Sequence, residues 1–358
     1  MFIKKKNLRP EVVLIGPMPI EGDVIGGTKV SFSDLVRTFL SQKRFDISVI
    51  NTSRPHVNKG AATRSLLNFR SLLHTVLVLW TQLRHAKIVI WNVSSSAALS
   101  AGPLIWLICK VRHRPLVVRV FGGDFNAKYV LLPRLKKKIV EYSILKADML
   151  LLQTRELVRC FSDVSNVRWF PTTRNMPSRV RPTRKKCRRL VFVGQLRKEK
   201  GIQEIVDASK LFLEGVSVTI FGPKMVGLDI TFDKIQNIEY AGVIEPDTVP
   251  IILQNYDMLL FPSYYEGEGY PGIVIEALQL GLPVISTNWK ALPEIIEDGK
   301  SGLLVKPRSV TDLVNAVNTV VRDDKLFMRL TRGACERGEV FRSSKAAENI
   351  ELLIHELI

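Results

Sequence analysis

Glu268 and Glu276 stand eight positions apart in FPSYYEGEGYPGIVIEALQLG, residues 261–281, where an apolar run gives way through a glycine-rich turn to a helix-like segment. Carboxylates accept hydrogen bonds from hydroxyl groups. Pro271 suits an early helical position and leaves the backbone N–H groups near Gly272 and Ile273 open to an anion. Two carboxylates on either side of an anion site could grip the hydroxyls at both ends of a sugar–diphosphate–ribose ligand. Glu266 lacks that spacing and reads as a bystander.

Three further features fall at the ends of apolar runs. In FVGQLRKEKGI (192–202), Arg197, Lys198 and Lys200 precede Gly201 and a helix. Cations there could neutralise a diphosphate without a metal, or simply form a solvated charged loop. Gly26 and Gly27 precede a helix whose first-turn N–H groups attract anions, although a plain turn has the same look. In RVFGGDFNAKY (119–129), Asp124 follows two glycines and either touches a sugar hydroxyl or holds the turn. No D-x-D metal motif is present, the nearest being Glu21-Gly22-Asp23 and Glu245-Pro246-Asp247, so neither a metal nor a cofactor is expected.

The elements that must position these residues are legible as short, continuous apolar runs with helix-length connections. EVVLIG, FDISVIN, KIVIWN, PLVVRVFGG and ADMLLLQT supply five strands before residue 155, and RLVFVGQL, VSVTIFGP, IEYAG, DMLLFPS, LPVIST and GLLVKP supply six after 188. Continuous rather than alternating apolarity predicts parallel sheets covered on both faces, an α/β fold in two doubly wound domains with ligands at the carboxyl ends of the strands. The expected division is a first domain at 1–172, a basic proline-containing linker at 173–189, a second domain at 190–335, and a closing helix at 336–358. That helix places Ile350, Leu353, Ile354 and Leu357 on one face.

The 358 residues, 46% hydrophobic and 24% charged, suit an ordinary folded chain, and the length allows two cores. The net charge of +18 is uneven: residues 1–189 carry 35 Lys and Arg against 10 Asp and Glu, and the remainder carries 17 against 24. The first half therefore suits a polyanionic partner, anionic lipid or nucleic acid, or its excess charge merely keeps the chain in solution. Four scattered cysteines without C-x-x-C spacing write neither a zinc site nor a disulfide scaffold and point to a reduced, cytoplasmic setting. The N-terminal MFIKKKNLRPEVVLIGPMPI fits a first strand better than a signal peptide, and the apolar stretches at 72–80 and 97–111 are too short to span a bilayer. Each of the latter is a core helix or lies partly in an interface.

Glu268-Gly-Tyr-Pro-Gly-Ile-Val-Ile-Glu276, with PSYYEG before it and GLPVIST followed by EIIEDGKSGLLV after it, resembles the E-x7-E signature of the family 4 retaining glycosyltransferases. The resemblance is strong over most of 190–307 and looser in the first domain. It implies the GT-B fold, two Rossmann-like domains facing across a cleft, and transfer from a nucleoside-diphosphate sugar in polysaccharide or lipopolysaccharide synthesis. By the resemblance Glu268 would contact the donor sugar and Glu276 the ribose, with Tyr270 and Pro271 in the donor loop and the amides of Gly272 and Ile273 at the diphosphate. Gly26 and Gly27 match the first-domain glycine loop. Lys200 matches the lysine of G-R-x-x-x-x-K-G, whereas Gln195 stands where that pattern has arginine, and Arg197 is the candidate replacement. Asp124 occupies the segment that elsewhere carries a sugar-side histidine.

Glu268, Lys200 and Arg197 are thus the expected catalytic residues. The expected partners are a nucleoside-diphosphate sugar, a lipid-linked or oligosaccharide acceptor, and an anionic membrane reached through the basic first domain, with no nucleic acid. The segment LLPRLKKKIVEYSILK (131–146) is expected to form one helix with Leu132, Leu135, Ile139, Tyr142 and Leu145 on a side, lying either on a membrane surface or buried with a solvated basic face. A catalytically inactive GT-B partner and a basic nucleic-acid-binding protein remain as alternatives, the second without a recognised motif.

Overall fold

A computed structural model describes residues 11–20, 27–53, 61–175, 184–225, 227, 230, 232 and 235–358. The chain divides into two compact units: the first runs to Phe170 and takes up Ser343–Ile358, and the second comprises Pro171–Arg342.

In the first unit the strands are β1 (Glu11–Gly16), β2 (Asp46–Asn51), β3 (Ile88–Ser94), β4 (Leu116–Phe121), β5 (Met149–Leu152) and β6 (Val167–Trp169). Between them lie α1 (Gly27–Gln42), α2 (Ala61–Gln82), α3 (Ser95–Val111), α4 (Phe125–Val130), α5 (Arg134–Glu141) and α6 (Arg155–Cys160). Among the described residues these strands form one sheet, ordered β2-β1-β3-β4-β5-β6, with every pairing parallel. Alternate side chains of β1 serve opposite faces, as a strand period of two requires: Val13 and Ile15 join one core, Val12 and Leu14 the other.

The second unit repeats the plan with β7 (Arg189–Val193), α7 (Ile202–Ser209), β8 (Ser217–Phe221), β9 (Ile238–Tyr240), α8 (Val249–Leu253), β10 (Met258–Phe261), α9 (Gly272–Gln279), β11 (Val284–Thr287), α10 (Leu292–Ile295), β12 (Gly302–Val305), α11 (Val310–Arg322) and α12 (Asp324–Gly338). Its strand order is β12-β11-β10-β7-β8-β9, again parallel throughout. The last helix, α13 (Ser343–Leu357), belongs to the first unit, where Ile350, Leu353 and Ile354 pack with Phe32, Leu35 and Phe39 of α1.

The expected strands are present, joined by β6, a three-residue strand that the sequence pattern did not announce. The expected single helix over 131–146 is a correction. It runs only from Arg134 to Glu141, and a turn at Tyr142 and Ser143 leads into a short 3-10 segment, Ile144–Lys146. The break sends Ile144 and Leu145 into the core, at 0% and 6% exposure, instead of along an outer stripe. Residues 176–183 of the expected linker lie outside the described residues. Its basic end is fastened to the second unit: Arg184 Nη1 reaches Asp257 Oδ1 at 2.9 Å, and the N–H groups of Arg188 and Arg189 donate to Asp257 Oδ2 at 2.9 and 2.8 Å. Among the described residues no helix is long and apolar enough to cross a membrane.

Candidate active site

Beyond β7 the chain passes the exposed Gln195 and reaches Leu196, whose N–H donates to Pro223 at 2.9 Å while its carbonyl accepts from Met225 at 3.1 Å. That pairing pins the loop beside the end of β8. One 3-10 turn, Lys198–Lys200, then ends at Gly201 with φ +74°, a left-handed conformation that favours glycine. A Cβ at Gly201 would also collide with the carbonyl oxygen of Pro262, so the absent side chain is what lets the loop close on the end of β10.

The closure delivers Lys200 Nζ to 2.6 Å from Glu268 Oε2, with the two side chains 16% and 7% exposed. Ser263 Oγ donates to the same oxygen. An ion pair this far from water needs good geometry and a further hydrogen bond to offset desolvation, and Ser263 supplies it. Among the described residues nothing donates to Glu268 Oε1. Tyr265 completes the corner: Lys200 Nζ lies 5.3 Å and the Arg197 guanidinium 5.0 Å from its ring centroid, while its carbonyl accepts from Trp289 Nε1 at 3.0 Å. Arg197 and Lys200 thus flank one ring. Glu266 points outward and pairs with Lys290 at 2.8 Å on the surface.

Helix α9 begins immediately after Pro271, and the first backbone bond in its ladder runs from Ile275 N–H to Pro271 at 3.4 Å. The N–H groups of Gly272, Ile273 and Val274 precede that bond, as helix geometry requires. Glu276 sits one turn on, held by a residue that the sequence did not single out. Arg174 Nε donates to Glu276 Oε1 at 2.7 Å, the arginine being 2% and the glutamate 12% exposed. A Cβ at Gly272 would collide with the Arg174 guanidinium, so glycine makes room for the cation. Gln279 Nε2 donates to the carbonyls of Arg174 and Phe341 at 3.0 and 2.8 Å, and Arg174 N–H donates to Phe341 at 3.0 Å, which fixes the backbone from which Arg174 reaches. Tyr270 is buried, its hydroxyl donating to Glu294 at 2.7 Å and its ring edge-on to Phe341.

Strand ends of a parallel sheet therefore gather Arg197, Lys200, Glu268, the start of α9 and Glu276 within one unit. Residues 177–337 match the model of the glycosyl transferases group 1 family. This segment is a group 1 glycosyltransferase domain. The chain is 30% identical over 134 residues to an uncharacterised 41.2 kDa protein in the cps region of Klebsiella pneumoniae, a match covering 36% of each chain. Such matches span 36% and 37% of the length of the curated relatives matched first. Among solved structures, an Anabaena protein, HepE, in complex with UDP superposes with a TM-score of 0.70 at 14% identity, over 97% of this chain and 100% of that one. The lipopolysaccharide outer core galactosyltransferase WaaB superposes with a TM-score of 0.66 at 18% identity, over 97% and 100%. The fold is GT-B.

The other two expected contributions lie outside the glycosyltransferase domain, in the first unit. Gly27 opens α1, and Gly26 lies outside the described residues. Asp124 stands at the N-cap position of α4, its side chain 30% exposed, and instead of capping the helix it meets Lys128 Nζ at 2.6 Å. Burial pushes its carboxyl up, but hydrogen bonds to Lys128 and Ser95 and the Lys128 charge prevail and hold it below the usual aspartate range. Ser263, Tyr265 and Arg174 escaped the sequence reading. A serine and a tyrosine beside a core strand carry no spacing signal, and Arg174 is 102 positions from the glutamate it holds.

Proposed function

We propose that this protein is a family 4 retaining glycosyltransferase that moves a sugar from a nucleoside-diphosphate sugar, with a UDP or GDP leaving group, to a hydroxyl of a lipid-linked saccharide acceptor, in cell-surface polysaccharide synthesis; the basic first unit supports the lipid-linked acceptor. The observation that carries the reading is the buried Lys200–Glu268 pair beside the start of α9. It leaves Glu268 Oε1 to accept from a donor-sugar hydroxyl and sets a cation where a diphosphate would leave. Arg197 takes the place of the arginine that Gln195 lacks, through its seat on Tyr265. Glu276, steadied by Arg174, accepts from the ribose hydroxyls.

In the reaction the bond from the anomeric carbon to the diphosphate oxygen breaks, and the bond to the acceptor oxygen forms on the same face. The departing phosphate oxygen takes the acceptor proton, and no metal or cofactor is required. Lys200, Arg197 and the N–H groups of Gly272 and Ile273 stabilise the charge that develops on the diphosphate. The complex with UDP of the similarly folded HepE supports a uridine donor, and the likeness to WaaB and to the cps-region protein supports a surface-saccharide acceptor. The excess of Lys and Arg in the first unit supports work at the inner face of the cytoplasmic membrane.

A thermal-shift panel of UDP- and GDP-sugars tests the donor, because a ligand that binds only the native state raises the melting temperature. The hit is then assayed for transfer with excess EDTA present, and the anomeric configuration of the product is read by NMR. Transfer with retention, insensitive to EDTA and lost in Glu268→Gln, is expected. Binding without turnover on any saccharide would favour an inactive GT-B partner instead, and inversion would remove the retaining assignment.

A further inference from the structure

Helices α2, α3 and α5 lie on one face of the first unit's sheet, where Leu79, Ile105, Ile108 and Val140 enter a common core. Their outer sides are apolar too. Leu77 and Trp80 of α2, Leu107 and Val111 of α3, and Leu135 of α5 with Tyr142 at its end are between 41% and 73% exposed. The stripes adjoin: the Arg112 guanidinium lies 4.5 Å above the Trp80 ring, and Trp106 Nε1 of α3 donates to Lys146 just beyond α5 at 3.3 Å. A monomeric soluble protein rarely exposes a contiguous apolar patch of this kind unless something covers it.

The charge around the patch is of one sign. Among the described residues α2, α3 and the turns after them carry Arg70, Arg84, Lys110, Arg112 and Arg114, the sequence from 47 to 123 has no Asp or Glu, and α5 adds Arg134, Lys136, Lys137 and Lys138. The acid of α5, Glu141, accepts from the Tyr129 hydroxyl at 2.8 Å. A second copy meeting this face across a two-fold axis would set cations against cations. A nucleic acid would satisfy the cations and leave the apolar stripes facing water. An anionic bilayer satisfies both, since amphipathic helices sink apolar side chains to the acyl boundary and keep Lys and Arg among the headgroups.

We infer that the α2–α3–α5 face is a docking surface for an anionic lipid bilayer. It rests on the proposed lipid-linked acceptor only for its purpose; the surface itself follows from exposed apolar stripes within an acid-free basic segment. Each cation near an anionic leaflet strengthens binding roughly fivefold, so the α5 cluster alone gives a steep dependence on salt.

The test is co-sedimentation of the full chain with vesicles of phosphatidylcholine alone or of equimolar phosphatidylcholine and phosphatidylglycerol. Binding is expected only to the anionic vesicles and should weaken with salt. The double variant Leu77→Asp/Leu107→Asp should bind at least about tenfold more weakly, the loss expected from placing two charges in an apolar contact. Lys136→Glu/Lys137→Glu should bind more weakly too, whereas Leu211→Asp, at an equally exposed leucine of the second unit, should match wild type. Equal binding to both vesicle types, no binding, or apolar variants that bind like wild type would overturn the inference. So would a wild-type dimer that Leu77→Asp/Leu107→Asp converts to monomer. Nucleotide-sugar thermal shifts of the same variants should be unchanged. Their absence in wild type would count against the proposed transferase and leave the vesicle result standing.

Discussion

Each unit has an acid beside a glycine turn at a strand end, and the two are treated differently. In the second unit Glu268 is buried and closed in by Lys200 and Ser263; in the first, Asp124 is partly exposed and meets a lysine that is itself 43% exposed. The contrast extends to the cations beside these features: the second unit turns Arg174 and Lys200 inward onto glutamates, while α5 and the turns after α2 and α3 hold theirs outward around an apolar face. Arg119 of β4, 2% exposed and donating to Asn92 and Ser31, is an inward cation of the first unit. Cations held inside a sheet end are fixed in geometry and suit one small anion, whereas cations on an outer rim suit a broad anionic surface.

The comparison is broken most severely at Lys200. Lys200→Ala should lower transfer by roughly 10²–10³-fold, the usual size of removing one preorganised donor from a leaving group. It should also destabilise the protein by about 3 kcal/mol, because Glu268 is left as an uncompensated buried charge. The two effects separate in Lys200→Met/Glu268→Gln, which removes both charges: the melting temperature should recover and transfer should not. Recovery of transfer in the double variant would show that Lys200 and Glu268 both serve only the fold.

A smaller loss is expected at Arg174, which holds Glu276 but lies behind it. Arg174→Gln should raise the donor KM by about tenfold with little change in kcat, the size of one charge-assisted hydrogen bond. It should also narrow the preference for ribose over deoxyribose donors, and Arg174→Lys should restore part of that preference. An unchanged ribose preference would mean that Arg174 braces the backbone near Phe341 rather than positioning Glu276.

How far these residues were legible follows from how local their signals are. The strands were, because each is a continuous apolar run, but β6 has only Val167 and Trp169 flanking Arg168 and falls below any pattern. The spacing of Leu135, Ile139 and Tyr142 suggested a helix through Lys146, and core demand for Ile144 and Leu145 overrode it. Glu268 and Lys200 were found through motifs that each span a dozen residues. Arg174 belonged to a run of cations, and only the fold shows which of them turns inward. The charge division also changes when drawn by compact unit. The first holds 28 Lys and Arg against 13 Asp and Glu, net +15, and the second 24 against 21, net +3, because the eight cations from Arg174 to Arg189 go with the second.

The mildest test sharpens the exposed side of the comparison. With its carboxyl held below the ordinary aspartate range, Asp124 contributes stability above the unfolded value near ~3.9 and loses it as pH falls through the lower folded value. Asp124→Asn should therefore melt below wild type at neutral pH, with the gap closing as pH drops below about 4. Because Lys128 and Asp124 are both solvent-accessible, the gap should correspond to only about 0.2–1 kcal/mol. A gap that widens on acidification would mean that the carboxyl is instead stabilised in its protonated form. If Asp124 also contacts the acceptor, the variant should raise the acceptor KM while the donor KM stays at its wild-type value; a change confined to the donor would place Asp124 on the donor sugar.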